Sequence, residues 1–242
     1  MKLDDIKKLH QKKYRESSGR FIVEGEHLVL ELQRAAQRNS NWSDCELYLT
    51  ERHANWQSPF RTHVVSERQM AQLSETQSPQ GILAVASLGI RIDDDETARA
   101  IYLHEIQDPG NLGTILRSLA WFGGFRCLLS PNSVDPYNGK AVRASMGAIF
   151  HVPIECDIEL DALVTRFDRI ACLDMRGETI ASPRFGEFDC YVFGNEARGV
   201  PREQIIRLHA QSFTIPGSGR IDSLNLGSAV NVCVYELTRM HH

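Results

Sequence analysis

Cys190-Tyr191-Val192-Phe193-Gly194-Asn195-Glu196-Ala197-Arg198-Gly199-Val200-Pro201 is the stretch on which the reading of the fold turns. Four apolar residues run into two glycines five positions apart, and a proline follows. The apolar run reads as a buried strand. Gly194 lets a backbone approach a flat ligand closely, and Pro201 suits the first turn of a helix. The unit is therefore strand, loop, helix.

The same alternation extends to either side. Strand candidates are 100–104, 126–129, 151–154, 169–173, 190–193 and 211–215, with helical candidates at 112–122, 138–149, 158–166, 201–208 and 223–239. Strands separated by helices predict a mostly parallel sheet covered on both faces. Ligands of such sheets sit at the carboxyl ends of the strands. The first half alternates too. Strands are expected at 21–23, 45–49, 62–65 and 81–86, and helices at 2–14, 24–37, 51–56 and 66–74, making a small α/β domain. The acid-rich stretch 87–98 reads as the connection, which gives domains 1–90 and 97–242.

Composition sets bounds. Of 242 residues, 42% are apolar and 24% charged, the ordinary balance of a globular chain. No apolar run approaches the roughly 18 residues of a membrane span, and the charged start lacks a signal-peptide core. The expectation is a cytoplasmic protein without a membrane segment. The six cysteines are scattered, with no C-x-x-C pair, and read as reduced, buried, small apolar residues. The nine histidines show no metal-ligand spacing, so no metal is expected, and His241 and His242 are given no function. Net charge is −4, yet residues 1–20 hold seven basic side chains against three acidic ones, a local +4. Lys7, Lys8, Lys12, Lys13, Arg15 and Arg20 are thus candidate nucleic-acid contacts, against the alternative of a merely solvated helix face.

Two further segments join 190–201, each after an expected strand. Gln107-Asp108-Pro109-Gly110-Asn111 is a turn signal in which Asn111 can cap the next helix, with Arg117 six residues on. A helix start with an arginine beside it suits an anionic group. Ile215-Pro216-Gly217-Ser218-Gly219-Arg220-Ile221-Asp222-Ser223-Leu224-Asn225 is an irregular loop, with Asp222 or Ser223 as the cap of the helix after it. That helix is apolar nearly all round, as expected of a core helix or a subunit interface. The P-loop, the dinucleotide G-x-G-x-x-G and the G-x-S-x-G elbow are missing. A dinucleotide-dependent oxidoreductase is accordingly remote.

Taken together, the three segments resemble the motifs of the SpoU/TrmH family, in the SPOUT class of RNA methyltransferases. The likeness spans residues 100–240 and rests on Asn111 with Arg117, the F-G-N-E-A-R-G loop at 193–199, and Ile215-Pro216 with Ser223-Leu224-Asn225 before an apolar helix. Ala197 stands where many members have glycine. The run from Lys12 to Ala35 is similar to the opening of the family's accessory substrate-binding domain.

The resemblance implies a parallel sheet whose C-terminal part is tied in a trefoil knot, and S-adenosyl-L-methionine as cofactor. It implies methyl transfer to a ribose 2′-hydroxyl of RNA, with ribosomal RNA favoured over transfer RNA, and a homodimer packed through the C-terminal helix. Carried over by position, Asn111, Arg117, Glu196, Ser223 and Asn225 are the catalytic residues, and Gly194, Ile215 and Leu224 contact the cofactor. Arginine stays protonated and makes a poor base. Arg117 is therefore expected to pin a phosphate and orient the hydroxyl. Two rival readings are an RNA-binding dimer that keeps the fold without the activity, and a methyltransferase acting on a base nitrogen.

Overall fold

The computed structural model describes residues 1–88 and 98–239. The body of the connection expected at 87–98, together with His241 and His242, lies outside the described residues. The chain separates into two units, Met1–Ile92 with Asp135–His151, and Asp93–Val134 with Val152–His242. The segment 135–151, expected in the second domain, thus packs with the first.

In the first unit α1 (Leu3–Lys8) and α2 (Lys12–Ser18) precede β1 (Arg20–Glu24), α3 (Glu26–Arg38), β2 (Glu46–Leu49), β3 (Arg61–Val64), α4 (Glu67–Leu73) and β4 (Ile82–Ser87). The sheet order is β1-β4-β2-β3, antiparallel except for the β2–β3 pair. The single helix expected over 2–14 is broken at Leu9–Gln11. Side-chain bonds surround the break. Arg15 Nη1 donates to the Leu9 carbonyl at 2.7 Å, and the His10 ring meets the Leu73 carbonyl at 2.8 Å.

In the second unit β5 (Arg99–Leu103) leads into α5 (Pro109–Phe122) and β6 (Phe125–Leu129). The chain then contributes α6 (Gly139–Ser145) to the first unit and returns through β7 (Ile154–Glu155), α7 (Leu163–Arg166), β8 (Ile170–Thr179), β9 (Cys190–Phe193), α8 (Arg202–Arg207), β10 (Gln211–Thr214) and α9 (Leu226–Arg239). The six strands are ordered β10-β8-β9-β5-β6-β7, and every pairing is parallel. Parallel strands bury both faces, and Ala100–Leu103 and Cys190–Val192 are fully buried. The β8–β10 ladder shifts register between Ser212 and Phe213, whose partners are Cys172 and Glu178, so Leu173–Gly177 bows out of the ladder. Residues 215–225 then carry the chain from edge strand β10 to α9, which packs on α5. Five cysteines are buried as expected, but Cys156 is exposed.

Arg15, read from sequence as an RNA contact, is only 4% exposed. Its Nε donates to Asp135 Oδ2 at 3.0 Å, and its Nη2 bonds the same oxygen. It therefore joins α2 to the 135–151 segment and is not free to meet a ligand. Removing one partner of a buried pair strands the other charge, at a cost of about 3–5 kcal/mol. Arg15→Ala should lower the urea midpoint accordingly, and an unchanged midpoint would refute this structural role.

Candidate active site

All strands of the second sheet run the same way, so the loops after β5, β9 and β10 open at one edge. The first motif is built by Asp108 rather than Asn111. Asp108 is the N-cap of α5, with Pro109 at the first helical position, and its Oδ1 accepts from the Asn111 N–H at 2.7 Å. The expected cap assignment is corrected. Proline is preorganised for the first helical turn and has no N–H to satisfy there, so the residue before it takes the cap. Asn111, in the first turn, keeps its amide for other partners.

Those partners come from the other two motifs. Asn225 Nδ2 donates to Asn111 Oδ1 at 2.9 Å, and Asn111 Nδ2 donates to Glu196 Oε1 at 3.3 Å. Asn225 Oδ1 accepts from the Ser228 N–H at 3.2 Å, and its carbonyl accepts from Ala229, so Asn225 caps α9. The expectation of Asp222 or Ser223 at that cap is likewise corrected, since α9 begins at Leu226. The result is a directional relay. A helix N–H fixes one amide, that amide fixes the next, and the line ends on a carboxylate. Ser118 Oγ donates to Asn231 Oδ1 at 2.6 Å and ties α5 to α9 behind it.

The 194–199 loop closes on itself. Asn195 and Gly199 exchange backbone hydrogen bonds at 3.2 and 2.9 Å. Asn195 Oδ1 accepts from the N–H groups of Ala197 and Arg198, and Asn195 Nδ2 donates to the Glu105 carbonyl at 2.8 Å. A Cβ on Gly194 would lie 2.3 Å from the Gly199 carbonyl carbon. The glycine is thus required by the loop's own packing.

The structure joins Asn111, Glu196 and Asn225 by hydrogen bonds, and the other expected site residues are not part of that line. Ser223 and Leu224 are exposed just before α9, and Ile215 is half-buried just after β10. Arg117 is exposed and makes no ion pair among the described residues. Six residues along a helix are about 9 Å of rise and some 120° of rotation, so Arg117 shares no face with Asn111. Sequence reasoning missed Asn195 and Glu105. Asparagine after a strand, two residues before the N–H it bonds, is an Asx-turn signal that was there to be read. Glu105 gave no signal.

In the first unit Lys7, Lys8, Lys12 and Lys13 are exposed, with Lys8 paired to Asp5 at 2.9 Å and Lys12 to Glu16 at 3.6 Å. Arg20 is held by the Asp44 carboxylate and carbonyl. Among the described residues no His, Cys, Asp or Glu cluster could hold a metal ion, and no helix is long and apolar enough to cross a membrane.

A parallel sheet with polar loops gathered at its carboxyl edge is an α/β architecture in which ligands commonly sit at that edge. Its family is specific: the SpoU rRNA Methylase family model matches residues 98–235, and the MRM3-like substrate binding domain matches residues 2–84. The chain belongs to the SpoU family of RNA methyltransferases and has its SPOUT-type fold. It is 29% identical to the 23S rRNA (guanosine(2553)-2′-O)-methyltransferase RlmP of Bacillus subtilis, over 98% of this chain and 95% of that one. A TrmH-family protein from Porphyromonas gingivalis superposes with a TM-score of 0.82 at 27% identity, covering 98% of this chain and 96% of that one. The fold is shared, at a TM-score of 0.80 and 24% identity, with an AdoMet-bound rRNA methyltransferase from Sinorhizobium meliloti, covering 98% of this chain and 94% of that one.

Proposed function

We propose that this protein transfers a methyl group from S-adenosyl-L-methionine to a ribose 2′-hydroxyl of RNA, and of ribosomal RNA in preference to transfer RNA. The observation that carries this reading is the Asn225–Asn111–Glu196 relay, which joins the three family motifs in one hydrogen-bonded line. The named 2′-O activity of the Bacillus relative supports the ribose over a base nitrogen.

The residues present fit the cofactor. The closed 194–199 turn at the end of β9 would hold it through backbone groups, and Leu224, exposed before α9, and half-buried Ile215 after β10 are apolar surface left for it. Bound there, S-adenosylmethionine would supply an activated methyl group on a sulfonium. The chain's own task is to orient the hydroxyl and accept its proton. Guanidinium stays charged, so Arg117 positions a phosphate. Glu196, the carboxylate at the end of the relay, receives the proton, and Asn111, Ser223 and Asn225 hold the ribose in line.

The protein acts as a homodimer on this reading. Trp121 is 84% exposed, Tyr235 55% and Val232 40%, and the Phe122 and Tyr235 rings meet edge-on at 6.2 Å. An apolar patch of this kind on α5 and α9 calls for a partner, and a second copy covers it through the C-terminal helix. The passage of residues 215–225 from the sheet edge to α9 beside α5 suits the trefoil crossing of the family.

Lys7, Lys8, Lys12 and Lys13 supply phosphate contacts on the first unit. Charge-neutral replacement of all four should weaken RNA affinity and flatten its logarithmic dependence on salt by up to about 0.9 for each phosphate no longer neutralised. Unchanged affinity would leave the helices as a solvated face. The cofactor part of the proposal is tested by equilibrium dialysis with labelled S-adenosylmethionine. Saturable binding at one site per chain is expected, and its absence would favour the RNA-binding dimer without activity.

A further inference from the structure

We infer that Glu105 is a positioning residue: its ion pair with Arg198 latches the 194–199 loop to the end of β5 and sets how tightly that loop holds its ligand. This rests on the reading of 194–199 as part of the cofactor site.

Glu105 has a φ of 50°, in the left-handed region that a side chain occupies at a cost. Its N–H donates to Ser130 Oγ at 2.7 Å, and its carbonyl accepts from Asn195 Nδ2 at 2.8 Å and Gln107 Nε2 at 3.1 Å. Glycine would make all three bonds without strain. What glutamate adds is the carboxylate, and Arg198 Nη2 donates to its Oε2 at 2.6 Å. Asn195 and Arg198 stand on the two sides of Glu196 in one tight turn, and both are tied to Glu105, one through its backbone and one through its side chain. The carboxylate of Glu196 reaches Asn111 from that turn. Loosening the Arg198 tether therefore frees the relay's acceptor along with the loop.

The test uses the full chain with two replacements, Glu105→Gly alone and the charge exchange Glu105→Arg with Arg198→Glu. Readouts are melting temperature, amide exchange at Ala197, Arg198 and Gly199 without ligand, and the dissociation constant for S-adenosylmethionine. Glu105→Gly should melt no lower than wild type, because strain is relieved. Its loop amides should nevertheless exchange faster and its cofactor affinity fall, each by up to about fivefold, the ceiling for a solvent-facing pair. The charge exchange should bring both back toward wild type. Wild-type exchange and affinity in Glu105→Gly would overturn the latch. If no form of the chain binds the cofactor, the cofactor reading fails by itself. Faster loop exchange in Glu105→Gly would then still uphold the latch, and unchanged exchange would overturn it.

Discussion

Gly194→Ala should abolish cofactor binding and methyl transfer together. The added methyl would meet Gly199 C at 2.3 Å, Gly199 Cα at 2.5 Å and Val200 N at 2.6 Å. All three are backbone atoms, so no side chain can swing aside, and the loop itself must open. Overpacking of this kind costs about 1–3 kcal/mol or more. It falls on the Asn195–Gly199 closure and on the turn that carries Glu196. The expected result is loss of saturable S-adenosylmethionine binding in a chain whose far-ultraviolet circular dichroism is unchanged. Wild-type affinity in this variant would mean that the 194–199 turn is not part of the cofactor site.

Arg117→Ala should cut turnover by about 100-fold, the scale of a misplaced reacting group, while cofactor affinity stays within about twofold of wild type, since removing a group that acts only on the substrate leaves cofactor binding alone. The separation follows from its place. Arg117 is exposed, lies outside the Asn225–Asn111–Glu196 line and is held by no acid among the described residues. It is thus open to a phosphate and makes no hydrogen bond in the relay. Arg117→Lys should recover only part of the rate, because ammonium cannot make the two-pronged contact of guanidinium. Near-normal turnover in Arg117→Ala would remove it from the mechanism.

Much of this was legible in the residues. Alternating apolar runs and helical segments foretold the parallel sheet, because a strand buried on both faces must be apolar throughout, as Ala100–Leu103 and Cys190–Phe193 are. The resemblance to the family's motifs singled out Asn111, Glu196 and Asn225, and the structure joins them by hydrogen bonds. What was not legible depended on partners distant in sequence. Arg15 looks like one more cation in a basic run, and only Asp135, 120 residues away, makes it a buried structural group. The same distance hid the allegiance of α6 to the first unit. Helix caps failed for a local reason: Asn111 and Ser223 are good capping types, but Pro109 moved one cap back to Asp108, and the later start of α9 moved the other forward to Asn225. Glu105 was invisible because nothing in its neighbours announces a positive φ.

The most direct test of the central claim is nucleoside mass analysis of ribosomal RNA lacking its own modification, after incubation with the protein and labelled S-adenosylmethionine. One labelled 2′-O-methyl nucleoside is expected, made by the wild type and nearly absent with Arg117→Ala. A label on a base nitrogen, or equal labelling by both forms, would contradict the claim.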